Sequence, residues 1–202
     1  MKVLRIITAA VVLASVGLVV SARLRGSPEP FQARSMRIVS LEKLVNADGS
    51  SIIRSVNIRL VTDTGAWKLI KIDPYGRPGS AMYSDNEGVF AQSKDNTLYE
   101  VSKHADGKPH LGHPSADGFR QSKQFLREDT ICNYRALVLG DVNTEVWYAT
   151  EVGTIPLKTI MRGGGGAGSD LVNEAVSVEF VPVSADEIKK PSVPTAGPLI
   201  RK

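Results

Sequence analysis

From Phe31 onward the chain alternates apolar and polar residues with period two, in short runs separated by Asp, Asn and Gly. That rhythm is the signature of strands with one buried face, and it leaves little room for anything but an antiparallel sheet. Met36, Ile38 and Ser40 alternate with Arg37, Val39 and Leu41; Val56, Ile58 and Leu60 alternate with Ser55, Asn57 and Arg59. Asn46-Ala47-Asp48-Gly49-Ser50 between them is turn chemistry, with Gly49 able to take positive φ. Asp63-Thr64-Gly65 closes the second run and Trp67 opens a third at 67–72. Residues 81–84, 89–92 and 97–102 repeat the rhythm between Asp- and Asn-rich turns, a meander of hairpins rather than βαβ units. Residues 103–115 are too polar and turn-rich for regular structure. Residues 117–129 read as a helix capped by Asp117, with Phe119, Phe125 and Leu126 on one face. Four closing strands are expected at 131–142, 144–149, 155–162 and 171–183, leaving 184–202 as a Pro-rich flexible tail. The β body therefore spans residues 31–183, behind a linker at 23–30 that holds Gly26, Ser27, Pro28 and Pro30.

The N-terminus reads as an address. Lys2 and Arg5 precede fifteen uncharged residues, 6–20, and Val20-Ser21-Ala22 presents side chains that a signal peptidase accepts. The run is short for a spanning helix, which needs about twenty residues. Residues 1–22 are thus expected to be a signal peptide ending at Ala22, the alternative being an uncleaved anchor flanked by Arg23 and Arg25. Either way the body lies outside the cytoplasm, periplasmic or secreted. Membrane contact is expected only through residues 6–22, if they are retained. The short n-region and the lack of any Asn-x-Ser/Thr sequon lean bacterial. Part of the formal charge of +4 belongs to Lys2 and Arg5, and so thin an excess argues against a nucleic-acid partner.

Few residues invite chemistry. His104, His110 and His113 lie close together, but no acidic residue or Cys completes a metal set, and Pro109 and Pro114 favour an exposed turn. Cys132, the single cysteine, reads as a small buried hydrophobe, with an interchain disulfide as the second role. The glycines at 163–166 lack the Gly-Lys-Ser/Thr ending of a phosphate cradle, and Asp170 follows; a hairpin connection is expected. No nucleophile elbow, His-Glu-x-x-His pair or Ser-x-x-Lys motif is present, so no catalytic residue, metal or cofactor is expected, and not an enzyme.

The stretch Glu145-Val-Trp-Tyr-Ala-Thr-Glu-Val-Gly-Thr-Ile-Pro-Leu-Lys158 gives an aromatic strand, a tight turn and a returning Leu-Lys strand, and the hairpin from Asp48 to Lys68 fits the same plan. The segment resembles lipoprotein-carrier-like periplasmic domains of the LolA/LolB type and similar exported domains of unknown function. The resemblance implies a mainly β fold with a minor α part: a curved antiparallel sheet or half-barrel of about eight to ten short strands with one short helix. It also implies an apolar hollow. Trp67, Tyr83, Phe90, Tyr99 and Trp147 are the candidates to line it, and Phe119, Phe125 and Leu126 to form its lid. The functional expectation is an exported, non-enzymatic β domain binding an apolar ligand, a lipid or an envelope partner. The alternative is a structural or interaction protein of the envelope with no small-molecule site, its aromatics simply filling a core.

Overall fold

The computed structural model describes residues 34–109, 116–166, 168–193 and 195–196. The expected leader, anchor and linker lie outside the described residues, as do His110 and His113. Eleven strands of five to eleven residues form one open antiparallel sheet: β1 (Met36–Val45), β2 (Ser51–Val61), β3 (Trp67–Ile72), β4 (Pro78–Ser84), β5 (Gly88–Gln92), β6 (Leu98–Lys103), β7 (Phe125–Ile131), β8 (Tyr134–Gly140), β9 (Thr144–Ala149), β10 (Pro156–Gly166) and β11 (Ser169–Glu179). A two-residue strand, β12 (Thr195–Ala196), runs parallel to β6 at one edge. Two short helices, α1 (Ala116–Arg120) and α2 (Ala185–Ile188), complete the described elements. The chain is mainly β as expected, with more strands than the eight to ten read from the sequence and two helices instead of one.

The spatial order is β12-β6-β5-β4-β3-β2-β1-β11-β10-β9-β8-β7. Hairpins build β1 to β6 outward in one direction. The chain then crosses to the far edge through α1, and β7 to β11 meander back until β11 pairs with β1. The hairpin turns are local chemistry: Gly49, Gly65 and Gly76 all take positive φ, and the Asp48 and Asp73 carboxylates accept backbone N–H groups within their own turns.

The helix expected at 117–129 is corrected. α1 stops at Arg120, and residues 125–131 pair with β8 instead. Cys132 (φ 49°) and Asn133 (φ 66°) form the two-residue turn that forces this hairpin, so the strand expected at 131–142 is broken there. Cys132 is therefore a half-buried turn residue whose thiol donates to the Ala175 carbonyl at 3.2 Å, rather than a strand-core hydrophobe.

The segment expected as a non-regular tail from residue 184 also carries structure. Ser184 and Glu187 make a capping box that starts α2, and Ile188 with Val183 covers Leu60 and Ala66. Further on, Lys190 lies over the Phe90 ring and pairs with Asp85 and Glu87, and Val193 packs against Tyr83, Phe90 and Leu98.

Candidate functional site

One face of the sheet can be followed strand by strand from its register. Ser55, Glu42, Asn173, Thr159, Val146 and Leu139 are successive cross-strand partners from β2 to β8, so their side chains share a face. This face is concave where β2, β1, β11 and β10 run side by side. Asn57 of β2 donates from Nδ2 to Asn173 Oδ1 of β11 at 3.1 Å, directly over the intervening β1. Parts of β1 and β10, on either side of β11, approach within 8 Å between Cα atoms. Strands two places apart in a flat sheet lie about 9.5 Å apart, so the sheet curls toward this inner face. Bulges at Val39/Ser40 on the β1–β11 side and Glu42/Lys43 on the β1–β2 side supply the bend.

The middle of the inner face is polar. Ser40, Glu42, Ser55, Asn57 and Thr159 are all buried there. Glu42 takes both of its carboxylate oxygens to Lys71 Nζ at 2.8 Å, which neutralises that row. A recess of about 180 Å³ opens beside it, lined by Glu42, Thr159, Met161, Leu171 and Asn173. It is a shallow depression open to solvent, with no enclosed space for even a water molecule, and not a preformed ligand pocket.

Toward β8 and β9 the same face becomes apolar. Phe119 of α1 is 1% exposed and lies on Leu137, Leu139, Val146 and Tyr148, with Phe125 packed at the margin. Its ring stacks on Tyr148 with centroids 5.2 Å apart. The Tyr148 hydroxyl is buried in this cluster and has no hydrogen-bond partner among the described residues, and burial pushes its pKa up to about 12. Of the three residues expected to form a lid, Phe119 lies over this cluster from α1, whereas Phe125 belongs to strand β7 and pairs with Leu139. Leu126 is 45% exposed on the same edge strand.

Toward β2 and β3 the inner face carries Arg59. Its cross-strand partners are Ile38 and Leu69, and its guanidinium lies over the Trp67 ring at 5.3 Å. Desolvation alone pulls its pKa down to about 10. A guanidinium keeps its proton there at neutral pH, and the half-buried side chain remains charged.

The five aromatic candidates do not gather at one place: Trp67 and Trp147 meet in the main core, and Tyr83 and Phe90 in a separate cluster. Val61 pairs with Trp67 and Ala91 with Tyr99, which puts Trp67 and Tyr99 on the inner face. Tyr83 and Phe90 pair with one another one residue out of that phase, so they lie on the outer face under the C-terminal segment. Trp147 is buried in the same core cluster that Trp67 packs against, with Met36, Ile38, Val61, Val138 and Leu157; its Nε1–H donates to Asp129 Oδ2 at 2.9 Å and Arg127 and Lys158 flank its ring. The residue that sequence reading missed is Tyr148. It stands in a strand-like run, and nothing in that run signals a missing partner.

The remaining candidates have local roles. His104 Nε2 lies 3.1 Å from Ser84 Oγ. The glycine run ends β10, and Gly163 N–H donates to Asp170 Oδ1, the carboxylate that follows it in the hairpin.

No protein-family model matches the sequence, and no curated protein matches it. The chain is similar to LolA-superfamily structures. One is a LolA superfamily protein from Nitrosomonas europaea, at 12% identity and TM-score 0.41, covering 79% of this chain and 92% of that one. Another is a domain from Vibrio parahaemolyticus described as an outer membrane lipoprotein-sorting protein, at 11% identity and TM-score 0.34, covering 89% and 96%. At these identities the likeness assigns no residue a role.

Proposed function

We propose that this chain is an exported, non-enzymatic β domain that binds an apolar ligand, a lipid or the acyl part of one, against the inner face of its sheet. The observation that carries the reading is the Tyr148 hydroxyl, buried without a partner among the described residues inside an apolar cluster over which the five-residue helix α1 lies. Leaving a buried donor unsatisfied costs about 1–3 kcal/mol, and native structures tolerate it mainly where something else can satisfy it. Displacing Phe119 would open Leu137, Leu139 and Val146 to a ligand and give that hydroxyl an acceptor. A second reading, an envelope interaction domain with no ligand, draws on the small volume of the recess beside Glu42.

Native mass spectrometry of the full-length protein, purified from its own envelope fraction, separates the two. The expected spectrum has a polypeptide mass starting at Arg23 and an added mass of lipid size that is lost on denaturation. The purified protein should also bind a fluorescent acyl probe at one site. A bare mass, together with no probe binding at about 100 μM, would transfer the case to the interaction reading. A retained Met1 start would make residues 6–22 an anchor.

A further inference from the structure

We propose that the outer face beside β5 and β6 is a binding site for an extended peptide, one that carries a lysine or arginine and an aliphatic side chain three residues on. The C-terminal segment of this chain is its built-in occupant. The site is separate from the inner face and stands whether or not that face holds a ligand. Lys190 sits in a seat for a cation. Its Nζ lies 3.7 Å from the centroid of the Phe90 ring and 3.0 Å from Asp85 Oδ2, with a Glu87 carboxylate oxygen on a further side. The β4–β5 turn shapes that seat from within, because Asp85 Oδ1 accepts the Glu87 N–H at 2.8 Å and leaves Oδ2 for the cation. Three residues on, Val193 packs against the buried side chains of Tyr83, Phe90 and Leu98. The Tyr83 hydroxyl already donates to Gln92 Oε1 at 2.6 Å, so the patch that meets Val193 is apolar. Thr195 and Ala196 then pair in parallel with Leu98 and Tyr99 of β6.

An aromatic face flanked by carboxylates, an apolar patch and a strand edge are the parts from which extended peptides are recognised. The edge holds the main chain, and the two side-chain seats select the sequence. Pro191 biases Lys190 toward extended backbone, so the segment arrives in the conformation that the site takes. Its grip is short: two residues of ladder and two seated side chains, with Ser192 exposed between them. A tethered segment competes at an effective concentration of about millimolar, so seating that is weak in itself suffices within one chain. A partner peptide that fits more closely displaces it.

The test uses the full chain and a fluorescent peptide of residues 189–197. Lys190→Ser with Val193→Ser removes both seated side chains of the chain's own segment and vacates the site. This variant should bind the peptide about tenfold or more tightly than wild type, whose segment competes for the same place. A peptide carrying Lys190→Glu should bind about tenfold or more weakly, and one carrying Lys190→Arg about as well as the parent; Val193→Ser in the peptide should lose about tenfold. Wild-type protein gives a second measurement that does not depend on how the variant folds. Millimolar parent peptide should speed protease cleavage within residues 181–196, and the Lys190→Glu peptide should not. No binding by the vacated variant, with no change in wild-type cleavage, would make the segment an intramolecular strap only and overturn the proposal. Equal binding of the parent and Lys190→Glu peptides overturns it as well. A wild-type dimer formed by exchange of C-terminal segments, with no uptake of added peptide, would assign the site to a second copy and overturn a separate partner.

Discussion

Glu145 accepts from Arg127 at 2.6 Å and Arg162 at 2.5 Å, and Glu174 accepts from Lys158 at 2.8 Å and Lys43 at 3.0 Å. Desolvation raises both carboxyl pKa values, but the paired cations outweigh it and the net shift is downward. A folded pKa below the unfolded one adds stability that is complete above the unfolded value, near 4.3, and is lost as pH falls through the folded value. Urea midpoints should therefore hold level from neutral pH to about pH 5 and then fall. In Glu145→Gln that acid limb should be shallower, and stability at pH 7 should drop by about 1–2 kcal/mol; an unchanged limb would mean that the pair contributes nothing. Tyr148→Phe runs the other way. Removing an unpartnered hydroxyl should stabilise the ligand-free protein by about 1 kcal/mol, and a lower urea midpoint would reveal a partner for that hydroxyl.

At the scale of elements, close backbone approach decides what a strand tolerates. A Cβ at Gly140, where β8 turns toward β9, would meet the Thr144 carbonyl oxygen at 2.0 Å. Backbone cannot yield as a side-chain tip can, so Gly140→Ala should cost about 2–3 kcal/mol, read by chemical denaturation. A cost below about 0.5 kcal/mol would show that the hairpin shifts freely. Strands β1 to β6 were legible because each alternates and each is bounded by Asp, Asn or Gly. Strand β7 was not. Residues 126–130 are exposed at the sheet edge, so no apolar phase marks them as a strand, while Phe119, Phe125 and Leu126 imitate a helical face. Only the turn at Cys132 and Asn133 and the pairing with β8 resolve that ambiguity.

Over the whole molecule, the C-terminal segment closes the outer face. Ile188 is 9% exposed against Leu60 and Ala66, and Lys190 anchors the segment farther along. Ile188→Asp should release residues 181–196 to limited proteolysis while amide protection in β1 and β11 persists. Loss of protection throughout the sheet would instead make the segment part of one cooperative unit. By itself the sequence determined the strands and turns of the first half, the hairpin logic and the closing pair around Trp147. Those features are local: a two-residue period and a turn need only a few neighbouring residues to be fixed. Tertiary structure decided which face each residue occupies, because a bulge re-phases a strand and the crossover through α1 chooses the edge at which β7 begins. It also decided that Tyr83 and Phe90 lie under a peptide segment and that Tyr148 has no hydrogen-bond partner among the described residues. The absence of a partner is a property of every element packed around a group, so no stretch of sequence around Tyr148 could have displayed it.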